Sequence, residues 1–179
     1  MPHRRRSAVL GVIIALVTTF LSVTPAHAAP DPAVGLQQAQ EKLAELKQVN
    51  PAARAVCYNA HLQDIGWQGA RCNGEIAGTT GQSRRLEAIV IVVSTDVGGV
   101  CYNSHLQDIG WQGTRCNGEI SGTTGQSRRL EAIAIGASIG SICYNSHLQD
   151  IGWQGTRCNG QVSGTTGQSR RLEAIAIVV

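Results

Sequence analysis

The chain has 179 residues, six cysteines and a formal charge of +3. Removal of an export segment holding three arginines and no acid would leave 12 basic against 12 acidic side chains. A neutral remainder excludes the net basic surface that a nucleic-acid or acidic-membrane partner requires.

That export segment is read at residues 1–28. Arg4, Arg5 and Arg6 form its positive region, 8–23 is an apolar run, and Ala26-His27-Ala28 is a small-x-small cleavage site. The run is short for a membrane span of about 20 residues. No second apolar span follows, so a secreted, extracellular protein without a membrane span after cleavage is expected.

Residues 29–55 read as an amphipathic helix and linker. Asp31-Pro32 is an N-cap followed by proline at the first helical position, and Asn50-Pro51 is a stop. Leu36, Ala39, Leu43 and Leu46 share one face. Such a stripe packs on the domain that follows, or forms a short coiled-coil seam over residues 33–49 that joins copies.

Residues 56–179 repeat one sentence three times. The repeats begin at Cys57, Cys101 and Cys143, with periods of 44 and 42 residues. Between 100–135 and 142–177, 33 of 36 positions agree. A repeat of this length is one supersecondary unit, and three units close around a shared core. Within the first, Gln63-Asp64-Ile65-Gly66, Asn73-Gly74 and 78–83 are turn signals. They separate four strands at 56–63, 66–72, 75–79 and 84–93, of which the last is long and buried.

A two-residue turn at Asp64-Ile65 sets Cys57 opposite Cys72, within reach of a disulfide. Cys101–Cys116 and Cys143–Cys158 follow by repetition, whereas zinc is disfavoured because the spacing lacks short cysteine pairs. Each bridge closes a loop of about 16 residues, for about 3 kcal/mol in the chain-entropy account. A bulge taking in Gly66 would shift this register by one. Without it, Tyr58, Leu62 and Trp67 share one face and Trp67 reads as core. Asn59, His61 and Gln68 then share the other face with the disulfide.

The words YNSHLQDIGWQ, NGE, GTTGQ and RLEAI, in this order at 56–92, 100–136 and 142–178, resemble the ChW repeat, the clostridial hydrophobic repeat with a tryptophan. The resemblance implies a secreted or cell-surface protein of a Gram-positive bacterium, with a role in polysaccharide or surface binding. Here the cysteine pair is an addition. Ala70, Thr114 and Thr156 stand where a second aromatic often follows the Gly-Trp pair.

Three four-stranded repeats with pseudo-threefold symmetry give an all-β fold. A β-prism-like arrangement is favoured over a β-trefoil, because RRLEAIAI suits the middle of a flat sheet. Both are lectin scaffolds, which is analogy alone.

For function, a non-catalytic, lectin-like module is expected, with polysaccharide or surface glycan as ligand. Its contacts would mix planar polar groups with an aromatic. These are His61, Gln63, Asp64 and Trp67; His105, Gln107, Asp108 and Trp111; His147, Gln149, Asp150 and Trp153. A structural or adhesive protein with extracellular protein partners is the alternative. Catalytic residues, a cofactor and a metal are not expected: the histidines lie on separate sheets, and no nucleophile pairs with them. Glu87, Glu131 and Glu173 follow Arg-Arg-Leu and read as ion-paired at a strand entrance.

Overall fold

A computed structural model describes residues 31–179; the export segment expected at 1–28 lies outside the described residues. Asp31 caps helix α1, Pro32–Val49, by accepting from the Ala33 N–H at 2.9 Å. Asn50 ends it in an extended conformation. Leu36, Ala39, Leu43 and Leu46 pack on the first repeat together with Val90, Val92 and the Cys57–Cys72 bridge. The apolar stripe is therefore used within the chain.

Each repeat runs through five short strands. The first has β1 Val56–Leu62, β2 Gly66–Trp67, β3 Arg71–Cys72, β4 Ala77–Gly78 and β5 Leu86–Val93. The second has β6 Val100–Leu106, β7 Gly110–Trp111, β8 Arg115–Cys116, β9 Ser121–Gly122 and β10 Leu130–Ala137. The third has β11 Cys143–Leu148, β12 Gly152–Trp153, β13 Arg157–Cys158, β14 Ser163–Gly164 and β15 Leu172–Val178. The strand expected at 66–72 is thus split in two.

The long strands pair within their repeat, β1 with β5, β6 with β10 and β11 with β15. The two short hairpin strands line the other edge of β1, β6 or β11. The remaining two-residue strand leaves its repeat. β4 pairs with β15, Ala77 opposite Ile175 and Gly78 opposite Ala174. In the same register, β9 pairs with β5 and β14 with β10. Repeat 1 thereby completes the sheet of repeat 3, repeat 3 that of repeat 2, and repeat 2 that of repeat 1. The result is three five-stranded sheets around a pseudo-threefold axis, β-prism-like as expected; no barrel joins the sheets in the manner of a trefoil.

The crossings are fixed by backbone chemistry. The N–H groups of Thr79, Thr123 and Thr165 donate to the carbonyls of Glu173, Glu87 and Glu131 at 2.8–2.9 Å. Gly78, Gly122 and Gly164 just before them have φ between +113° and +118°. A Cβ at Gly78 would collide with the Glu173 carbonyl and Ala174, so only glycine allows this approach.

Buried tyrosines close the same seams from inside. The Tyr58 hydroxyl donates to the Glu75 carbonyl in its own repeat and accepts from Ile177 N–H of repeat 3 at 3.0 Å. Tyr102 joins Glu119 to Ile91, and Tyr144 joins Gln161 to Ile135. The inward faces of all three sheets form one core, with Val56, Leu62, Ile89 and Ile91 and their counterparts packed around these rings. Burying each such aliphatic side chain contributes roughly 1.5–3 kcal/mol.

One expectation is corrected. Cys57 faces Cys72 and Tyr58 faces Arg71, but beyond Gly69 the register slips by one, so that His61, not Leu62, faces Trp67. Gly69 takes the turn with φ +88°. The bulge moves Trp67 out of the face of Tyr58 and Leu62 and sets it outside, beside His61; Trp111 and Trp153 follow.

Burial pushes Tyr58 and Tyr102 up to about 12, and raises Tyr144 above its ordinary value. A folded-state value above the unfolded one near 10 means stability is fully present below pH 10 and is lost as pH rises toward 12. The chain has only three tyrosines. Near-ultraviolet absorbance should therefore show less phenolate at pH 10 to 10.5 than three free tyrosines would give, and full ionisation should appear only together with loss of sheet signal. Ionisation with a midpoint near pH 10 in a fully folded chain would contradict this burial.

Candidate functional site

The hairpin between β1 and β2 turns through Gln63, Asp64 and Ile65, with Asp64 at φ +63°. Arg84 holds the turn from the side, donating to the Gln63 carbonyl at 3.1 Å and standing 3.4 Å from Asp64 Oδ2. Asp64 is exposed, so its ion pair adds little, and the carbonyl bond does most of the anchoring. Asp108 and Asp150 occupy the same left-handed position and face Arg128 and Arg170.

Behind each turn lies a charged group that sequence spacing did not bring together. His61 Nδ1 is 3.2 Å from Glu87 Oε2, close enough for charge attraction though not aligned as a regular hydrogen bond. Arg85 grips the other carboxylate oxygen, Nε at 2.9 Å and Nη2 at 2.8 Å. Burial alone would raise the Glu87 carboxyl, but the contacts and charges of His61 and Arg85 outweigh it and hold it below its ordinary value. The groups His105–Glu131–Arg129 and His147–Glu173–Arg171 share this geometry. The Arg–Glu pairing matches the expected ion pair, but it is buried; the histidine partner was missed, because it becomes visible only once β1 and β5 are in register.

Each histidine also meets its tryptophan edge-on, with ring centroids 5.4 Å apart. The three sites then part company. Trp111 and Trp153 are 41% and 40% exposed, whereas Trp67 lies under α1. Gly35 of the helix rests on the Trp67 ring so closely that a Cβ there would come within 2.6 Å of it. Both ring nitrogens of His61 are closed off, while the His105 and His147 side chains keep 17% and 18% of their surface.

In repeat 3 the expected residues His147, Gln149 and Asp150 line one cavity of about 340 Å3. Gly152, Arg171 and Glu173 complete it from the same repeat, and Gly81 and Ser83 arrive from repeat 1. Trp153 stands beside His147 and does not line this cavity. The site is therefore composite: the polar turn 78–83 sits here because β4 has crossed to β15. Its composition marks it as a turn, but not whose pocket it enters.

The family model described as ChW, Clostridial hydrophobic W, matches residues 61–94, 105–136 and 147–179, more than half of the chain. Each match begins at the histidine and leaves the first cysteine of the pair outside. No curated protein and no solved structure matches.

Cys57–Cys72, Cys101–Cys116 and Cys143–Cys158 are bridged as the register implied, with Cα atoms 4.1–4.2 Å apart. Three disulfides suit an extracellular, oxidising environment. Among the described residues, no helix is long and apolar enough to cross a membrane. The Cys57–Cys72 bridge is buried beneath α1, whereas Cys101 is exposed. Access governs thiol exchange. Mild reduction of the native protein, read by alkylation and mass mapping, should open 101–116 and 143–158 before 57–72. Simultaneous opening of all three would contradict the cover that α1 provides. Replacing Cys101 and Cys116 together by serine should cost about 3 kcal/mol in denaturant unfolding.

Proposed function

The chain belongs to the ChW family, and from that premise we propose that it is a secreted, non-catalytic module that binds a polysaccharide or cell-surface glycan through the hairpin pockets of repeats 2 and 3. The observation that carries this reading is the composite cavity of repeat 3. It offers the planar groups of Arg171, His147, Gln149 and Asp150 within one space of about 340 Å3. Sugar hydroxyls are recognised by such fixed donors and acceptors beside an apolar surface. The arginine is already hydrogen-bonded to Glu173 and the histidine packed 3.2 Å from it, so little side-chain entropy is lost on binding. Leu148 and Ile151 line the cavity, and Trp153 stands beside it, edge-on to His147 and open to solvent.

Repeat 2 carries the same groups in His105, Gln107, Asp108 and Trp111. Repeat 1 keeps His61, Gln63, Asp64 and Trp67, but α1 shuts its histidine and tryptophan. The reading is thus two open sites on one rigid body, which gain avidity on a polymer without new contacts.

The test is retention of residues 29–179, bridges intact, on insoluble chitin, cellulose and peptidoglycan. One of these should hold the protein and release it to its own soluble oligomer. The paired change Gln107→Ala and Gln149→Ala should weaken retention about tenfold or more, since both open sites lose hydrogen bonds. No retention by a folded, monodisperse sample, or retention indifferent to the paired change, would overturn the reading.

A further inference from the structure

The seat of α1 on repeat 1 is a moulded helix site, built from three features. Gly35 lies on the Trp67 ring, Leu36 enters a socket, and Gln38 accepts from Asn59 Nδ2 at 2.6 Å. The Leu36 methyl group fills the space where a Cβ of Gly118 would stand, against Val92. Ala39 is fully buried behind it, and Ile120 packs on the same cluster.

Repeat 3 presents the same seat without an occupant. Cys143, Tyr144, Asn145, Thr156, Ala176 and Val178, with Gly74 crossing from repeat 1, line a cavity of about 220 Å3. These are the counterparts of Cys57, Tyr58, Asn59, Ala70, Val90, Val92 and Gly118, so the cavity is the leucine socket standing open. Around it Trp153, Ile76 and Val178 are 40%, 49% and 44% exposed, whereas Trp67, Ile120 and Val92 are covered in repeat 1. Asn145 makes no side-chain hydrogen bond among the described residues, whereas its counterpart Asn59 donates through Nδ2 to Gln38 of α1. Repeat 2 lacks the socket wall: Ala134 and Gly136 replace Val90 and Val92, and nothing lies within 4 Å of a Cβ built at Gly136.

We infer that the outer face of repeat 3 is a docking site for an amphipathic helix of another protein, carrying the pattern Gly-Leu-x-x-Ala-x-x-x-Leu with a glutamine one residue before the alanine. The leucine enters the open socket, the glycine lies on Trp153, and the glutamine meets Asn145. A second copy of the chain does not supply it. Among the described residues each chain has one such helix and uses it on repeat 1, so exchange between copies leaves as many faces open as before. This site lies on the sheet face around the disulfide and meets the hairpin pocket proposed for glycan only at Trp153.

The experiment titrates the full disulfide-bonded chain into a labelled peptide of residues 31–50, with Gln37→Lys joined to Glu41 by a lactam. Both positions are exposed on α1, and the bridge removes helix formation as a confounding cost. Saturable binding with one peptide per chain is expected. Leu36→Ala in the peptide, or Val178→Glu in the protein, should each weaken it at least tenfold. Gly136→Val should build the missing wall in repeat 2 and raise the stoichiometry to two. Absence of binding to a peptide shown to be helical would overturn the assignment. So would binding that survives Val178→Glu, which would be exchange with the resident helix on repeat 1.

Discussion

A two-residue strand cannot hold itself in place, and each repeat opens its third turn with one. Ala77–Gly78, Ser121–Gly122 and Ser163–Gly164 find their hydrogen-bonding partners only on the sheet of another repeat. The tyrosine hydroxyl at each seam ties a carbonyl of one repeat to an amide of the next, and the bond to that amide is buried. Leaving such a pair unmade costs about 1–3 kcal/mol for each buried group. The ring closes only when all three repeats are present, so the repeat is a unit of sequence but not a unit of folding.

The same crossing builds the site. Gly81 and Ser83 reach the cavity of repeat 3 because β4 has been carried to β15. A rigid Arg–Glu–His group then stands at the back of a pocket whose two walls come from different repeats. Near-identical sequence would make three equal sites. Helix α1 breaks that equality by covering one, and it does so on the repeat whose central strand β5 offers Val90 and Val92 where the others have alanine, glycine or a single valine.

Local chemistry was legible in the sequence; relations between strands were less so. The cap at Asp31, the apolar stripe of α1, the three bridges and the central place of RRLEAIAI could be read because each depends on neighbours along the chain or on one hairpin. The tryptophans could not be placed, because one extra residue at Gly69 turns a strand over and exchanges its faces. Nor could the crossing be seen, since a two-residue strand carries no alternation. His61 and Glu87 stand in different strands, and only the pairing of His61 with Ala88, next to Glu87, brings them together. The signal for the helix seat was present but small, in the few positions where the repeats differ.

Native-state amide exchange tests the closed ring most directly. The N–H groups of Ile91, Ile135 and Ile177 each donate to a tyrosine hydroxyl of another repeat. A ring that opens only as a whole gives all three the same opening free energy, equal to that of global unfolding in denaturant. A ladder of distinct free energies, with one repeat exchanging well before the others, would mean that the repeats fold separately, and the interlocked closure would be wrong.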